Sequence, residues 1–277
     1  MAKQLEWTNA AGTALHAQLW APDDPRAVIA FVHGLGEHVG RYAHVADYLN
    51  RRAYGFVGFD LPGHGRSGGK RGHAAGLAAL LDDVGQLLSE AERRYPALPV
   101  FLYGHSLGGN LVLNYALRRK PGIRGLIATS PFLRETYPQG GAKVAVGKLL
   151  RKVYPSLTLP NGLELAAISR DPTVVQRYQD DPLVHGRLSA ALGIGTLEAA
   201  QWLDRFDGHL PCPTLLVHGT ADRITDPAAT AAFARRVRGD VTYLPFEGLY
   251  HETHNEPEQG EVLRRIADWL DGHSPKG

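Results

Sequence analysis

Apolar and polar positions alternate in two rhythms along the chain. Residues 13–20, TALHAQLW, switch between apolar and polar, the pattern of a half-buried strand. Residues 27–32, AVIAFV, and 54–60, YGFVGFD, are nearly continuous apolar runs, which predict strands covered on both faces. VFLY (100–103), GLIATS (125–130), TLLVH (214–218) and VTYLPF (241–246) predict further strands. Between them the spacing becomes helical. From Leu77 apolar residues recur at Leu80, Leu81, Val84, Leu87, Leu88 and Ala91, one face of a helix. Helices are also predicted at 42–52, 107–119, 228–238 and 258–271. Strand and helix alternate, so the expected fold class is α/β, a mostly parallel sheet with helices on both faces.

The interval 132–210 breaks the rhythm. It holds short amphipathic patches, such as Val144, Val146, Leu149, Leu150 and Val153, interrupted at Pro155, Pro160, Pro172 and Pro182. It is too long for a plain loop and predicts an inserted lid-like cap. The expected division is a core of residues 1–131 and 211–277 with the cap at 132–210.

Composition narrows the function classes. A net charge of +2 over 277 residues implies no strong field for nucleic acid. The single cysteine, Cys212, permits no intramolecular disulfide, in keeping with a reducing compartment. The first residues, MAKQLEWTNAAG, lack an apolar signal-peptide region, and no stretch approaches 18 apolar residues. A cytoplasmic location is therefore expected. GHGRSG (63–68) matches a dinucleotide fingerprint, but Pro62 precedes it and the glycine-rich run continues past Gly72 before a helix begins. HETHN (251–255) lacks the second histidine of a helical zinc motif. No cofactor and no metal are expected.

The chemistry gathers around LYGHSLGGN (102–110). Ser106 lies between Gly104 and Gly108, after a strand and before a helix, matching the G-x-S-x-G nucleophile elbow. Small residues there suit a turn too tight for Cβ atoms, with Oγ presented at the sheet edge. A serine nucleophile needs a base, and the base an orienting acid. GTADRITDP (219–227) offers Asp222 and Asp226. Asp226 precedes Pro227 and a helical pattern, so it suits a helix N-cap, whereas Asp222 has no such task. EGLYHETHNEP (247–257) offers His251 and His254 as the base.

HGLGEHVGRY (33–42), FDLPGHGRSGGKRGH (59–73), GHSLGGN (104–110), HGTADRITDP (218–227) and GLYHETHNE (248–256), in this order, resemble the motifs of the monoacylglycerol lipase and lysophospholipase family of α/β-hydrolases. SPF (130–132) and DPLVHG (181–186) resemble its motifs on either side of the cap. The resemblance covers nearly the whole chain. It implies an α/β-hydrolase fold with Ser106 as nucleophile, Asp222 as acid and His251 as base, and the backbone N–H groups of Leu35 and Leu107 as oxyanion hole. His33, His38, His64 and His105 are expected to brace loops. The implied substrate is a single-chain lipid ester, a monoacylglycerol in the first place. A lysophospholipase, a broader carboxylesterase or acyltransferase, and a non-catalytic binding protein are the alternatives. Transient contact of the cap with lipid surfaces is expected.

Overall fold

A computed structural model describes residues 2–138 and 140–274. β1 (Lys3–Thr8) and β2 (Ala14–Trp20) form an antiparallel hairpin. The chain continues through β3 (Ala27–Val32), α1 (Ala43–Asn50), β4 (Tyr54–Phe59), α2 (Leu77–Arg94), β5 (Val100–His105), α3 (Leu107–Arg119) and β6 (Gly125–Thr129). After residues 132–189 and α6 (Ala190–Arg205) come β9 (Thr214–Gly219), α7 (Pro227–Arg236), β10 (Val241–Phe246) and α8 (Gln259–His273). The main sheet has the order β1-β2-β4-β3-β5-β6-β9-β10 among the described residues. β2 pairs antiparallel with β4, and from β4 onward every pairing is parallel.

Burial explains the apolar runs. All six residues of β3 are buried. Val28, Ala30 and Val32 pack into the layer of α2, α3, α6 and α7, while Ala27, Ile29 and Phe31 pack into that of α1 and α8. A parallel strand covered on both faces has no solvent side on which to place a polar residue. β1 escapes the sequence reading because it is an edge strand: in KQLEWT only Trp7 is buried, so its apolar signal is weak. β5 runs two residues beyond the predicted VFLY. Gly104 and His105 still pair with Ala128 and Thr129, and the turn begins only at Ser106.

Between β6 and α6 the chain forms α4 (Gly141–Val153), a short antiparallel pair of β7 (Thr158–Pro160) and β8 (Arg187–Ser189), and α5 (Pro172–Asp180). Ile168, Val174 and Tyr178 make a small apolar cluster of their own. α6 is apolar on two sides. Leu192 and Leu203 reach the main core, while Ile194 and Leu197 face a cavity. No helix among the described residues is long and apolar enough to cross a membrane.

Candidate active site

Four parallel strands deliver the candidate residues to one edge of the sheet. β3 leads into Gly34 and Leu35, β5 into Ser106, β9 into Asp222 and β10 into His251. In a parallel sheet the carboxyl ends of the strands share one edge, so loops far apart in sequence converge there.

Ser106 stands at the junction of β5 and α3 with φ 54° and ψ −114°, a conformation that L-residues rarely adopt. Its carbonyl accepts from the N–H groups of Asn110 and Phe132, and its N–H donates to Thr129 O. The flanking glycines are sterically required. A Cβ on Gly104 would meet Gly108 O at 2.3 Å, and one on Gly108 would meet Val32 O at 2.0 Å. Leu107 opens α3, so its N–H belongs to the first turn, which has no intrahelical acceptor.

The other donor loop is oriented by a histidine. The N–H of Leu61 donates to His33 Nε2 at 2.9 Å, which leaves the proton on Nδ1, and Nδ1 donates to Gly34 O at 2.7 Å. Gly34 C=O and Leu35 N–H belong to one planar trans peptide. Holding the carbonyl on one side therefore aims the Leu35 N–H to the other. His33 is fully buried, and burial together with the nearby His64 keeps its imidazole neutral, well below the usual range.

Asp222 is buried and saturated with donors. Its Oδ1 accepts from the N–H groups of Ile224 (2.7 Å) and Thr225 (3.1 Å). Its Oδ2 takes His251 Nδ1 at 2.7 Å, Thr225 Oγ1 at 2.9 Å and His218 Nε2 at 3.0 Å. Burial alone would raise the carboxyl's pKa, but His251, His218 and these hydrogen bonds hold it far below the carboxylate range. The ionised carboxylate accepts, so the His251 proton sits on Nδ1 and Nε2 keeps its lone pair. Burial opposes charge on His251 too, yet Asp222 outweighs it and the imidazole's pKa is raised. Ser130, at a positive φ of 43°, donates from Oγ to His251 O at 2.7 Å and fixes the backbone of the loop.

Asp226 and His254 lie elsewhere. Asp226 caps α7, accepting from Ala228 N, and pairs with Arg134. His254 is fully buried, and neither ring nitrogen has a hydrogen-bond partner among the described residues. It stacks on Tyr42 with ring centroids 4.8 Å apart, and burial with the nearby His105 and His44 holds it neutral. Of the other histidines, His38 pairs with Asp181 at 2.9 Å, and His64 bonds to Pro62 O. His105 bonds to Thr129 Oγ1, and burial lowers its pKa to about 3.

Ser106, Leu35, Leu107 and His251 line one cavity of about 490 Å³, with Val144 and Ile194 among its apolar wall. A separate cleft of about 600 Å³, also bordered by α6, is lined by Arg118, Arg151 and Trp202 and contains no candidate nucleophile. Sequence reasoning did not find His218, Thr225 or the charged group of Glu37, Arg41 and Glu252. The four-residue step from His218 to Asp222 was visible, but it lies in a strand end and turn rather than a helix, where that spacing predicts no contact.

The sequence matches the family model described as serine aminopeptidase, S33, over residues 23–258. It is 36% identical to a monoacylglycerol lipase of Mycolicibacterium smegmatis, over 95% of this chain and 94% of that one. It is 31% identical to a phospholipase, YtpA, of Bacillus subtilis, over 91% of this chain and 98% of the other. The crystal structure of the Paleococcus ferrophilus monoacylglycerol lipase superposes with a TM-score of 0.85 at 35% identity, covering 99% of this chain and 100% of that one. With the sheet order and the serine turn, these matches place the chain in the serine aminopeptidase S33 family of α/β-hydrolases, in its monoacylglycerol lipase branch.

Proposed function

We propose that the chain is a serine ester hydrolase that cleaves monoacylglycerols to fatty acid and glycerol through an acyl-enzyme on Ser106. The observation that carries this reading is the Asp222–His251 pair at 2.7 Å, opening on the cavity that also holds Ser106. His251 Nε2 takes the Ser106 proton as Oγ attacks the ester carbonyl. The N–H groups of Leu35 and Leu107 hold the oxyanion of the tetrahedral intermediate. The imidazolium, stabilised by Asp222, protonates the leaving alcohol, and His251 then activates water to release the fatty acid.

In this reading residues 132–210 are the cap. α4 and the β7–β8 pair wall the cavity, and α6 anchors the segment to the core. One acyl chain threading the cavity gains about 0.8 kcal/mol per buried CH₂. Val146 and Leu159 are exposed where they border the cavity, while Leu149 and Val153 are exposed away from it, beside Lys148 and Lys152. That mixture of apolar and cationic side chains supports transient contact with a lipid surface. The likeness to a phospholipase keeps a lysophospholipid as the second substrate reading.

The test compares kcat/KM for one acyl chain presented on mono-, di- and triacylglycerol and on lysophospholipid, in the same detergent. Monoacylglycerol should be turned over far faster than triacylglycerol. Equal rates on all three glycerides would overturn the selection for a single acyl chain, and a preference for lysophospholipid would keep that selection and change the head group.

A further inference from the structure

The loop carrying Leu35 leaves β3 and the loop carrying His251 leaves β10, four places away in the sheet. No strand pairing joins them. Ester hydrolysis through an acyl-enzyme needs both loops fixed against one reacting carbon. A single buried cation bridges them. Arg41 Nη1 donates to Glu37 Oε2 at 2.5 Å and to Glu252 Oε1 at 2.8 Å, and Nη2 donates to Glu252 Oε2 at 2.7 Å. Glu37 Oε1 in turn accepts from the Gly34 N–H and from Tyr42 Oη, both at 2.7 Å. At the other end Glu252 directly follows His251 and takes a further bond from Asn255 Nδ2 at 2.8 Å. The guanidinium lies over the ring of Tyr178 in α5, 4.6 Å from its centroid.

The group makes little sense as a source of stability alone. The side chains of Arg41, Glu37 and Glu252 are 10%, 3% and 4% exposed, and two carboxylates share one cation. Removing three charges from water costs more than such pairing usually returns, and an apolar cluster of the same volume would serve stability as well. What the ions supply is direction. A planar, bidentate fork fixes the angle as well as the distance between its partners. The room for error is small: a Cβ on Gly34 would stand 2.7 Å from Glu37 Oε1 and 3.2 Å from Ser106 Cβ. The Gly34 backbone is thus held between the carboxylate and the nucleophile.

We propose that Arg41 is a positioning residue for ester hydrolysis, a strut that sets the oxyanion loop against the histidine loop through Glu37 and Glu252. This rests on the hydrolase reading above. Glu37 and Glu252 border the cavity, but Arg41 itself lies behind them and is not part of its lining, so it acts through these carboxylates on the Gly34–Leu35 backbone and the backbone of His251. Its loss therefore lowers kcat with little change in KM, because ground-state binding of the acyl chain lies elsewhere in the cavity.

The test uses the full chain, with Arg41→Ala and Arg41→Lys, a soluble nitrophenyl ester, thermal melting, and labelling of Ser106 by a fluorophosphonate. Arg41→Ala should lose about 10²-fold in kcat, the scale of a misplacement of about 1 Å. Added guanidinium ion should restore part of that loss and leave the wild type unchanged. Arg41→Lys should keep the fold and recover only part of kcat, since an ammonium cannot grip both carboxylates as a fork. Wild-type turnover together with full kcat in Arg41→Ala would overturn the strut alone. So would a loss confined to KM, or one that tracks the melting temperature and resists guanidinium. A wild type that neither turns over nor labels would overturn the hydrolase reading and the strut with it.

Discussion

On the sheet side of the cavity, Ser106, His251 and the Gly34–Leu35 backbone are each held by several hydrogen bonds to buried partners. On the opposite side, none of the described residues of α4 is buried, and Val146, Leu149 and Val153 are more than half exposed. The two walls meet over the same space and are built differently. The sheet wall stores strain at Ser106 and Ser130, both at positive φ, and the surrounding ladder keeps it in place. The α4 wall is half-buried at best, through Val144, Gly147 and Leu150, so it can shift at smaller cost than the sheet wall. The contrast teaches a division of labour. Groups that handle protons and charge need fixed geometry, whereas a wall that admits an alkyl chain needs only apolar surface.

The largest expected effect breaks the sheet wall at its centre. Ser106→Ala should lower kcat on a soluble ester by about 10⁵–10⁶-fold while the fold survives, because the triad acts as a unit. Retention of more than about 1% of activity in a pure sample, by active-site titration, would remove Ser106 from the mechanism.

Next in size is Asp222→Asn, expected to cost about 10⁴-fold through the wrong imidazole tautomer. Asp226→Asn should cost little, since asparagine also caps helices. The pH profile sharpens this pair. His251 must be neutral to accept a proton, and Asp222 raises its pKa. The acid limb of kcat/KM should therefore lie above about 6.5, the ordinary imidazole value, with activity lost as pH falls through it. An acid limb well below that value would show that Asp222 does not face His251 in solution.

The smallest effect belongs to the α4 wall. Leu149→Asp and Val153→Asp should leave folding within about 0.5 kcal/mol of wild type, as exposed positions do. Rates on a soluble ester should not change. On dispersed monoacylglycerol they should fall about tenfold, since an aliphatic side chain entering lipid contributes about 1.5–3 kcal/mol. Equal losses on both substrates would mean that α4 supports the fold rather than a lipid contact.

The sequence alone determined the alternation of strands and helices, because two-sided burial leaves continuous apolar runs and one-sided burial leaves helical stripes. It also marked the serine turn, since no residue larger than glycine fits at 104 and 108. It separated Asp222 from Asp226 by local logic, the neighbouring Pro227 making Asp226 a cap. Only the tertiary structure shows which of His251 and His254 faces Asp222. Both are buried in the same loop, and what distinguishes them is an Asp222 carboxylate 29 positions earlier that faces one and not the other. Likewise, nothing local in GEHVGRY or HETHN announces that Arg41 meets Glu252 across 211 positions. Local propensity depends on neighbours along the chain, and it is legible there. A salt bridge between loops from separate strands depends on the order of those strands in the sheet, which the chain sets only by folding.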